Sequence, residues 1–157
     1  MRRLLYTCIA IAFLSISVPT STDTSASSSV ALYYYRFLES KQSEIDLLSR
    51  LINSESGTET FHDKLMVGSV VLNRMRKRSI DMQSVIFEPN QFSGVHDDGF
   101  TRTAESDRAA MMLIISGPID TSAIYFLNPD VSTNRSWVRK VMRRELVVEN
   151  KNHFFYK

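Results

Sequence analysis

Residues 47–75 read LLSRLINSESGTETFHDKLMVGSVVLNRM, and two amphipathic patterns fill this stretch. The first begins just upstream, where apolar side chains recur at spacings of three and four: Ile45, Leu48, Leu51 and Ile52. This spacing places them on one face of a helix over residues 44–54. Gly57 should end that helix, because glycine readily adopts the left-handed backbone that commonly follows a last helical turn.

The second pattern predicts a helix over residues 64–77, whose buried face contains Leu65, Val67, Val70, Val71 and Met75. This helix finishes in a basic cluster made of Arg74, Arg76, Lys77 and Arg78. The helix dipole favours cations at a C-terminus. We therefore interpret the cluster as a solvated helix end.

The rest of the chain predicts short helices and a small sheet. The expected elements are a helix over 81–87, a loop over 90–100, a helix over 104–116 capped by Thr103, a strand over 124–127, a helix carrying Trp137, and a hairpin of 146–148 with 154–156. The fold class is therefore α+β, mainly α, with a small β hairpin.

The N-terminus has the composition of an export signal. Two arginines precede an apolar run over residues 4–18, and a Thr/Ser-rich stretch follows. The run is shorter than the roughly 20 residues that cross a bilayer as a helix, so we expect a cleaved signal peptide over residues 1–20, with cleavage as late as Ala26. Residues 21–40 should form a linker and an N-terminal segment, and residues 41–157 the folded domain.

Within that N-terminal segment, residues 20–29 lack the apolar content needed for packing and predict a linker. Residues 30–38 contain three consecutive tyrosines, from Tyr33 to Tyr35. This aromatic segment is compatible with a packed helix and with a partly exposed one.

Charge and cysteine content exclude several function classes. The chain has 19 basic and 17 acidic residues, and two of the basic ones, Arg2 and Arg3, belong to the predicted signal. Net charge therefore gives no support to nucleic-acid binding. The only cysteine, Cys8, also lies in the signal, so we expect neither disulfides nor thiol chemistry. The predicted location is extracytoplasmic, with membrane contact only through the export signal.

Glu55 is the first candidate for chemistry. It follows Leu51 by four residues and Ile52 by three, so one more helical turn would project its carboxylate from the apolar face. Partial burial favours the protonated form of a carboxyl group, which is the form that donates a proton near neutral pH. The same position also suits a glutamate that caps or pairs at a helix end.

Four blocks of sequence resemble the cell wall hydrolase family of the spore cortex-lytic (SleB) type. They are the stretch 47–75 quoted above, VIFEPNQFSGV at 85–95, AIYFLNPDVSTNRSWV at 123–138 and ENKNHFFY at 149–156. The resemblance implies a lysozyme-like fold related to resuscitation-promoting factors and lytic transglycosylases. It also implies a catalytic glutamate at the end of a helix that lines a sugar-binding groove.

The family motif is close to L-A-R-x-I-x-x-E-A-R-G-E, and its first glutamate corresponds to Glu55 and its second to Glu59. This chain departs from the motif after Glu55. Ser56 replaces the alanine, and Gly57 follows directly without the arginine. The departure leaves the electrostatics beside Glu55 open, while the resemblance still identifies Glu55 as the general acid.

The number of available carboxylates bears on the reaction. Hydrolysis commonly uses two carboxyl groups facing one another across the sugar. The sequence does not place any of four candidates, Glu59, Glu88, Asp97 and Asp98, opposite Glu55. A lytic transglycosylase needs one, because the 6-hydroxyl of muramic acid attacks and closes a 1,6-anhydro ring. We expect transglycosylase-type cleavage, largely from the family, with hydrolysis as the alternative.

The resemblance also indicates substrate-binding residues along the groove. These are Gln91, Phe92 and Ser93 of the Q-F-S element, Tyr125, Asn128 and Trp137 of the third block, and His153 of the last. Each has a structural alternative: Phe92 and Trp137 as core residues, Asn128 as a turn former. His153 would either be structural or form a hydrogen bond near Glu55 and tune it.

The histidines of the sequence give no support to a metal site. His62, His96 and His153 show no helical H-x-x-x-H spacing, so we expect no metal and no cofactor. The expected partner is the peptidoglycan glycan strand, and an accessory or inhibitor protein remains unspecified. The alternatives are a non-catalytic peptidoglycan-binding or morphogenetic protein, and a phage lysin with the same chemistry.

Overall fold

The computed structural model describes residues 24–92, 94–96 and 100–157. The chain divides into two compact units, Met1–Gln42 and Ser43–Lys157. The predicted signal peptide and its cleavage region up to residue 23 lie outside the described residues. None of the helices in the described part is both long enough and apolar enough to cross a membrane.

The first unit contains helix α1, Thr24–Ser40. The helix begins at Thr24, inside the stretch predicted as a linker, and the linker itself stays a prediction. Adding a turn to an existing helix is much easier than nucleating one, so helix can extend from the aromatic segment into its Ser-rich neighbour. The three tyrosines are at least half exposed, which agrees with the partly exposed alternative.

Two long helices form the centre of the second unit, and both were predicted. Helix α2 spans Gln42–Ser56 and ends before Gly57, and helix α3 spans Phe61–Arg78. Their apolar faces are buried, with Leu48, Leu51, Ile52, Val67, Val70 and Val71 fully inaccessible to solvent. At Gly68 a β-carbon would collide with Leu113 and crowd Ile52, so the missing side chain allows three helices to approach closely.

Helix α3 has defined caps at both ends. The Thr60 hydroxyl accepts a hydrogen bond from the backbone N–H of Asp63, which satisfies one of the unpaired amides of the first turn. At the other end Ser79 adopts a left-handed conformation with φ of 54°. The predicted helix is thus correct, but it starts about one turn earlier, because its N-cap is Thr60.

Helix α4 (Met82–Ile86) and a single 3₁₀ turn (Gly94–His96) follow, and then helix α5 (Ala104–Ser116). Thr103 and Ser106 form a capping box at the start of α5. The Ser49 hydroxyl donates to Asp107 Oδ1 over 2.6 Å and thereby links α2 to α5. The predicted α5 and its cap are confirmed.

The sheet contains three antiparallel strands in the order β1–β3–β2. Its elements are β1 (Tyr125–Leu127), helix α6 (Arg135–Val141), β2 (Leu146–Glu149) and β3 (Phe154–Tyr156). The predicted hairpin is β2 with β3. Strand β1 pairs with the other edge of β3, with Phe126 opposite Phe155.

The sheet and α6 are held by two apolar clusters. One joins α3 to the sheet through Met66, Val67, Val70, Ala123 and Phe155. The other covers the far side of the sheet with α6 through Leu127, Val138, Val141 and Tyr156. The C-terminal hairpin is therefore packed against the helix that follows Glu55 in sequence.

Candidate active site

Glu55 lies in the last turn of α2 and is partly buried. Its Oε1 accepts a long hydrogen bond of 3.5 Å from the backbone N–H of Gly94. Burial raises the pKa of Glu55 above its ordinary value, whereas the Gly94 hydrogen bond and the charge of Arg74 lower it. Because burial has the largest effect, the site favours a protonated carboxyl group.

The close approach of the Gly94 backbone depends on its lack of a side chain. A β-carbon at Gly94 would lie 2.8 Å from Ser54 Cβ and 3.7 Å from Glu55 Oε1. The first distance is too short for two carbon atoms without movement of the chain. Glycine therefore allows the 3₁₀ turn to cover the end of α2 and exclude water from one side of Glu55.

Arg74 is the cation whose charge lowers the pKa of Glu55. It is buried, with 6% of its surface exposed. Its Nε donates to the backbone oxygen of Ile124 over 2.7 Å. Its guanidinium lies over the Phe92 ring at 5.1 Å and the Tyr125 ring at 5.8 Å from the centroids. Burial lowers the pKa of Arg74 to about 10, so the group stays cationic at neutral pH.

The interpretation of the basic cluster as a solvated helix end is therefore wrong for Arg74. It holds for Arg76, Lys77 and Arg78, which are exposed. Helical position alone did not reveal the burial of Arg74, because the covering side chains come from two later segments. The feature of the sequence that singles out Arg74 is its place in the L-N-R ending of the family motif. The neighbouring Asn73 also links α3 to the segment before β1. Its Nδ2 donates to Asp120 O and Ala123 O at 2.9 and 2.8 Å.

A cleft of about 290 Å³ opens beside Arg74. Its lining contains two residues that the sequence predicted to bind substrate, Gln91 and Tyr125. The remaining lining residues are Arg74, Lys77, Arg78, Glu88 and Ile124. We call this the basic cleft.

The charges at the rim of the basic cleft are only partly compensated. Glu88 forms two hydrogen bonds with Arg78, at 2.6 and 3.0 Å, and this pairing lowers the pKa of Glu88. Glu88 is therefore engaged as the counter-ion of Arg78. No ion pair involves Arg74 or Lys77 in the ranges 24–92, 94–96 and 100–157.

Three other predicted substrate-binding residues have structural roles in the fold. Phe92 is 3% exposed and packs against Phe126, which favours its alternative as a core residue. Asn128 shapes the turn after β1, since its Oδ1 accepts from the N–H of Asp130. Trp137 is half-buried and packs against the apolar cluster between α6 and the sheet. Ser93 lies outside the described residues.

Neither Glu59 nor His153 belongs to the lining of the basic cleft. Glu59 Oε1 accepts a hydrogen bond of 2.7 Å from Asn152, at the β2–β3 turn. His153 is buried against Phe126 and Phe155. Burial lowers the pKa of His153, and the charges opposing that shift are Asp63 and Glu59 rather than Glu55.

Across the described residues there is no group of three or more His, Cys, Asp or Glu side chains that could hold a metal ion. Of the four candidate carboxylates opposite Glu55, Asp97 and Asp98 lie outside the described residues. Glu59 and Glu88 are both engaged by other side chains.

Known proteins match this sequence and this fold. The family model for cell wall hydrolases covers residues 58–156, beginning three residues after Glu55. A spore cortex-lytic enzyme of Bacillus cereus is 32% identical over 108 residues, which are 66% of this chain and 42% of that protein. The cell wall hydrolase CwlJ of Bacillus subtilis is 28% identical over 130 residues, which are 76% of this chain and 88% of that protein.

Two solved structures share the fold. The catalytic domain of Bacillus cereus SleB superimposes with a TM-score of 0.64 at 28% identity, over 74% of this chain and 91% of that domain. The catalytic domain of the germination-specific lytic transglycosylase SleB of Bacillus anthracis gives 0.63 at 24% identity, over 89% and 100%. The predicted α+β, mainly helical, lysozyme-like fold is confirmed.

The mainly helical fold with its small antiparallel sheet is that of the SleB catalytic domains. The chain belongs to the cell wall hydrolase family, of the SleB/CwlJ type, as the sequence blocks indicated. It spans about two fifths of the length of the spore cortex-lytic enzyme from Bacillus cereus that it matches.

Proposed function

We propose that this chain cleaves the glycan strands of peptidoglycan as a lytic transglycosylase, with Glu55 as general acid and then general base. The observation that carries the proposal is the burial of the Glu55 carboxyl, which raises its pKa in a chain of the cell wall hydrolase family. A protonated carboxyl group is the form that glycosidic bond cleavage requires at the start.

The reaction proceeds in two proton transfers. Glu55 first donates its proton to the glycosidic oxygen as the bond from that oxygen to C1 of muramic acid breaks. The 6-hydroxyl of the same muramic acid then bonds to C1, and its proton passes to the Glu55 carboxylate. The products are a 1,6-anhydro-muramic acid end and a glucosamine end with a free 4-hydroxyl. The enzyme is regenerated and no water is consumed.

The surroundings of Glu55 suit both roles. Burial raises the pKa of Glu55 and so favours the protonated form, while the Gly94 N–H and the Arg74 charge stabilise the carboxylate that forms in the first step. A single carboxyl group that is stabilised in both states can act as acid and base in turn.

Hydrolysis with Glu59 as a second carboxylate is the competing reaction. The Oε1 of Glu59 already accepts a hydrogen bond from Asn152. The backbone oxygen of Glu59 accepts another from the buried Lys64 ammonium over 2.6 Å. These contacts give Glu59 a role in holding the α2–α3 loop. They favour a reaction that uses one carboxylate.

The test is digestion of purified vegetative and cortex sacculi by the chain and by its Glu55→Gln variant, with mass analysis of the muropeptides. We expect products ending in 1,6-anhydro-muramic acid, and a loss of at least about 100-fold in the variant. Glu59→Gln is the matched control and should retain the same products. Reducing ends would establish hydrolysis, and full activity of the Glu55 variant would move the acid elsewhere.

The same proposal places the protein outside the cytoplasm, where its substrate lies. The relatives named for spore cortex lysis make cortex a candidate substrate beside the vegetative wall. A non-catalytic wall-binding protein is the alternative class. It predicts retention on sacculi without any released muropeptide, by the parent and by both glutamate variants alike.

A further inference from the structure

Positive charge is concentrated on helix α6 and the turn that follows it. Residues 131–144 contain no acidic side chain and five basic ones: Arg135, Arg139, Lys140, Arg143 and Arg144. The whole chain is nearly balanced, with 19 basic against 17 acidic residues. The charge of this segment is therefore a local property and does not follow from the composition.

Three of these cations share the outward face of α6. Val138 and Val141 are buried in the apolar cluster between α6 and the sheet. With about 100° of rotation per residue, Arg139 and Lys140 then point away from that cluster. Arg143 lies one turn after Arg139, because the helical path continues past α6 with a hydrogen bond from Met142 N–H to Val138 O. We call Arg139, Lys140 and Arg143 the α6 basic face.

The α6 basic face is not neutralised by the rest of the protein. All three side chains are exposed. Within residues 24–92, 94–96 and 100–157 none of them forms an ion pair or a hydrogen bond. The next acidic residue along the chain, Glu145, is paired with Lys157 over 2.7 Å. Such a surface attracts an anionic partner.

Exposed apolar side chains lie beside these cations in the sequence. Met142, directly after α6, is 50% exposed, and Leu146, at the start of β2, is 45% exposed. A soluble polyanion would neutralise the cations but leave these two side chains in water. The headgroup region of a membrane accepts both, since it combines anionic phosphates with the edge of an apolar interior.

We propose that the α6 basic face docks on a membrane surface that contains anionic phospholipids. Lipid phosphates neutralise the three cations, and arginine suits them because its planar fork binds phosphate with two parallel hydrogen bonds. Met142 enters the headgroup region beside them. No step at Glu55 is involved, so this surface is independent of the proposed function.

Docking has a consequence for the basic cleft. Arg144 follows the basic face directly, and its guanidinium lies 4.2 Å from the centroid of the Tyr125 ring. Tyr125 lines the basic cleft. Through Arg144 the α6 basic face therefore lies next to the wall of that cleft. The proposed glycan cleavage would then act on the strands nearest the membrane.

Trp137 provides a test that reports on α6 itself. It is the only tryptophan of the chain and lies half-buried on α6. We mix the full chain with vesicles of brominated phosphatidylcholine, alone or in equal parts with brominated phosphatidylglycerol, because bromine quenches a tryptophan that it approaches. We expect quenching by the anionic vesicles only. Binding through the apolar run of residues 4–18 does not by itself bring Trp137 to the lipid.

Charge substitutions locate the docking surface. A cation near an anionic membrane contributes about fivefold to affinity, so Arg139→Gln, Lys140→Gln and Arg143→Gln together should raise the lipid concentration for half-quenching about 100-fold. The matched control replaces three exposed cations elsewhere, Arg36, Arg108 and Lys151, with Gln. It removes the same charge and should change that concentration less than about threefold, because attraction to the surface falls off within a screening length.

Met142→Gln separates a membrane from a dissolved polyanion. It keeps every charge and removes the apolar contact, so it should weaken vesicle binding about threefold. Unchanged vesicle affinity in this variant would overturn the membrane in favour of a soluble polyanion.

Two further results would overturn the proposal. One is quenching that is absent or equal with neutral and anionic vesicles. The other is an equal effect of the two triple variants, which would show a response to net charge alone. None of these measurements depends on glycan cleavage, so failure of the proposed function is seen separately, as undiminished sacculus digestion by the Glu55→Gln variant.

Discussion

At the scale of single residues, the site depends on how strongly Glu55 holds a proton. Burial, a distant backbone N–H from Gly94 and the charge of Arg74 act on the same carboxyl group in opposite directions. The family motif carries an arginine just after the glutamate, which this chain lacks. The cation that lowers the pKa of Glu55 in this chain is Arg74, near the C-terminal end of the next helix.

Replacing Arg74 should change the pH dependence of cleavage. Its charge lowers the pKa of Glu55, so Arg74→Met should raise that pKa and move the alkaline limb of kcat to higher pH. Arg74→Lys keeps the charge and should leave the limb in place. The measurement is muropeptide release at saturating substrate over a pH series. A limb that moves to lower pH in the Met variant would contradict this electrostatic role.

Glu55 itself should lower stability at neutral pH. Its pKa is raised in the folded state, so folding favours the protonated form and stability falls as pH rises through the folded pKa. Glu55→Gln removes the ionisation and should raise Tm relative to the parent at about pH 7. The gain should shrink at about pH 4, where both states of the parent are largely protonated. A gain that grows toward acid pH would contradict the burial effect.

At the scale of elements, α3 is the helix on which most of the site depends. It carries Arg74 near its C-terminus and is stopped one residue after Arg78 by Ser79 in the left-handed region. A side chain there is strained by about 1–2 kcal/mol relative to the right-handed conformation. The geometry suits glycine.

Ser79→Gly should therefore stabilise the chain. Relief of the strain outweighs the greater flexibility that glycine gives the unfolded state, and the net gain should be about 0.5–1 kcal/mol. Ser79→Ala is the control and should give no gain, because it keeps the β-carbon. Urea unfolding of the three proteins measures the difference. A gain shared by both variants would point to the serine hydroxyl rather than to backbone strain.

At the scale of the whole molecule, the last residues of the chain hold the loop that follows Glu55. Asn152 donates to Glu59 over 2.7 Å, and Asn150 donates to Asp63 Oδ1 over 2.6 Å. Asp63 is 2% exposed, so its carboxylate relies on such donors. These two bonds join the β2–β3 turn to the α2–α3 loop and to the first turn of α3.

Removing one of these bonds should be costly. Asn150→Ala leaves Asp63 Oδ1 without that donor, and we expect a loss of about 1–3 kcal/mol in the free energy of unfolding. Lys151→Ala, at the exposed position between the two asparagines, is the matched control and should cost less than about 0.5 kcal/mol. Denaturant unfolding checks both. Similar losses in the two variants would contradict a specific clamp.

The sequence by itself determined the local elements of this protein. Helices α2, α3 and α5, the Thr103 cap and the C-terminal hairpin follow from side-chain spacing and capping chemistry within a few neighbouring residues. The four sequence blocks also determined the family, because their order reflects one shared fold. The candidate acid was found through that resemblance.

Only the tertiary structure decided which side chains meet. Pairing of β1 with β3, the burial of Arg74 between Phe92 and Tyr125, and the engagement of Glu59 by Asn152 all join segments far apart in the chain. Burial is a property of the complete packing, and it is burial that raises the pKa of Glu55. Spacing along the chain reports only nearby neighbours, so it could not anticipate these contacts.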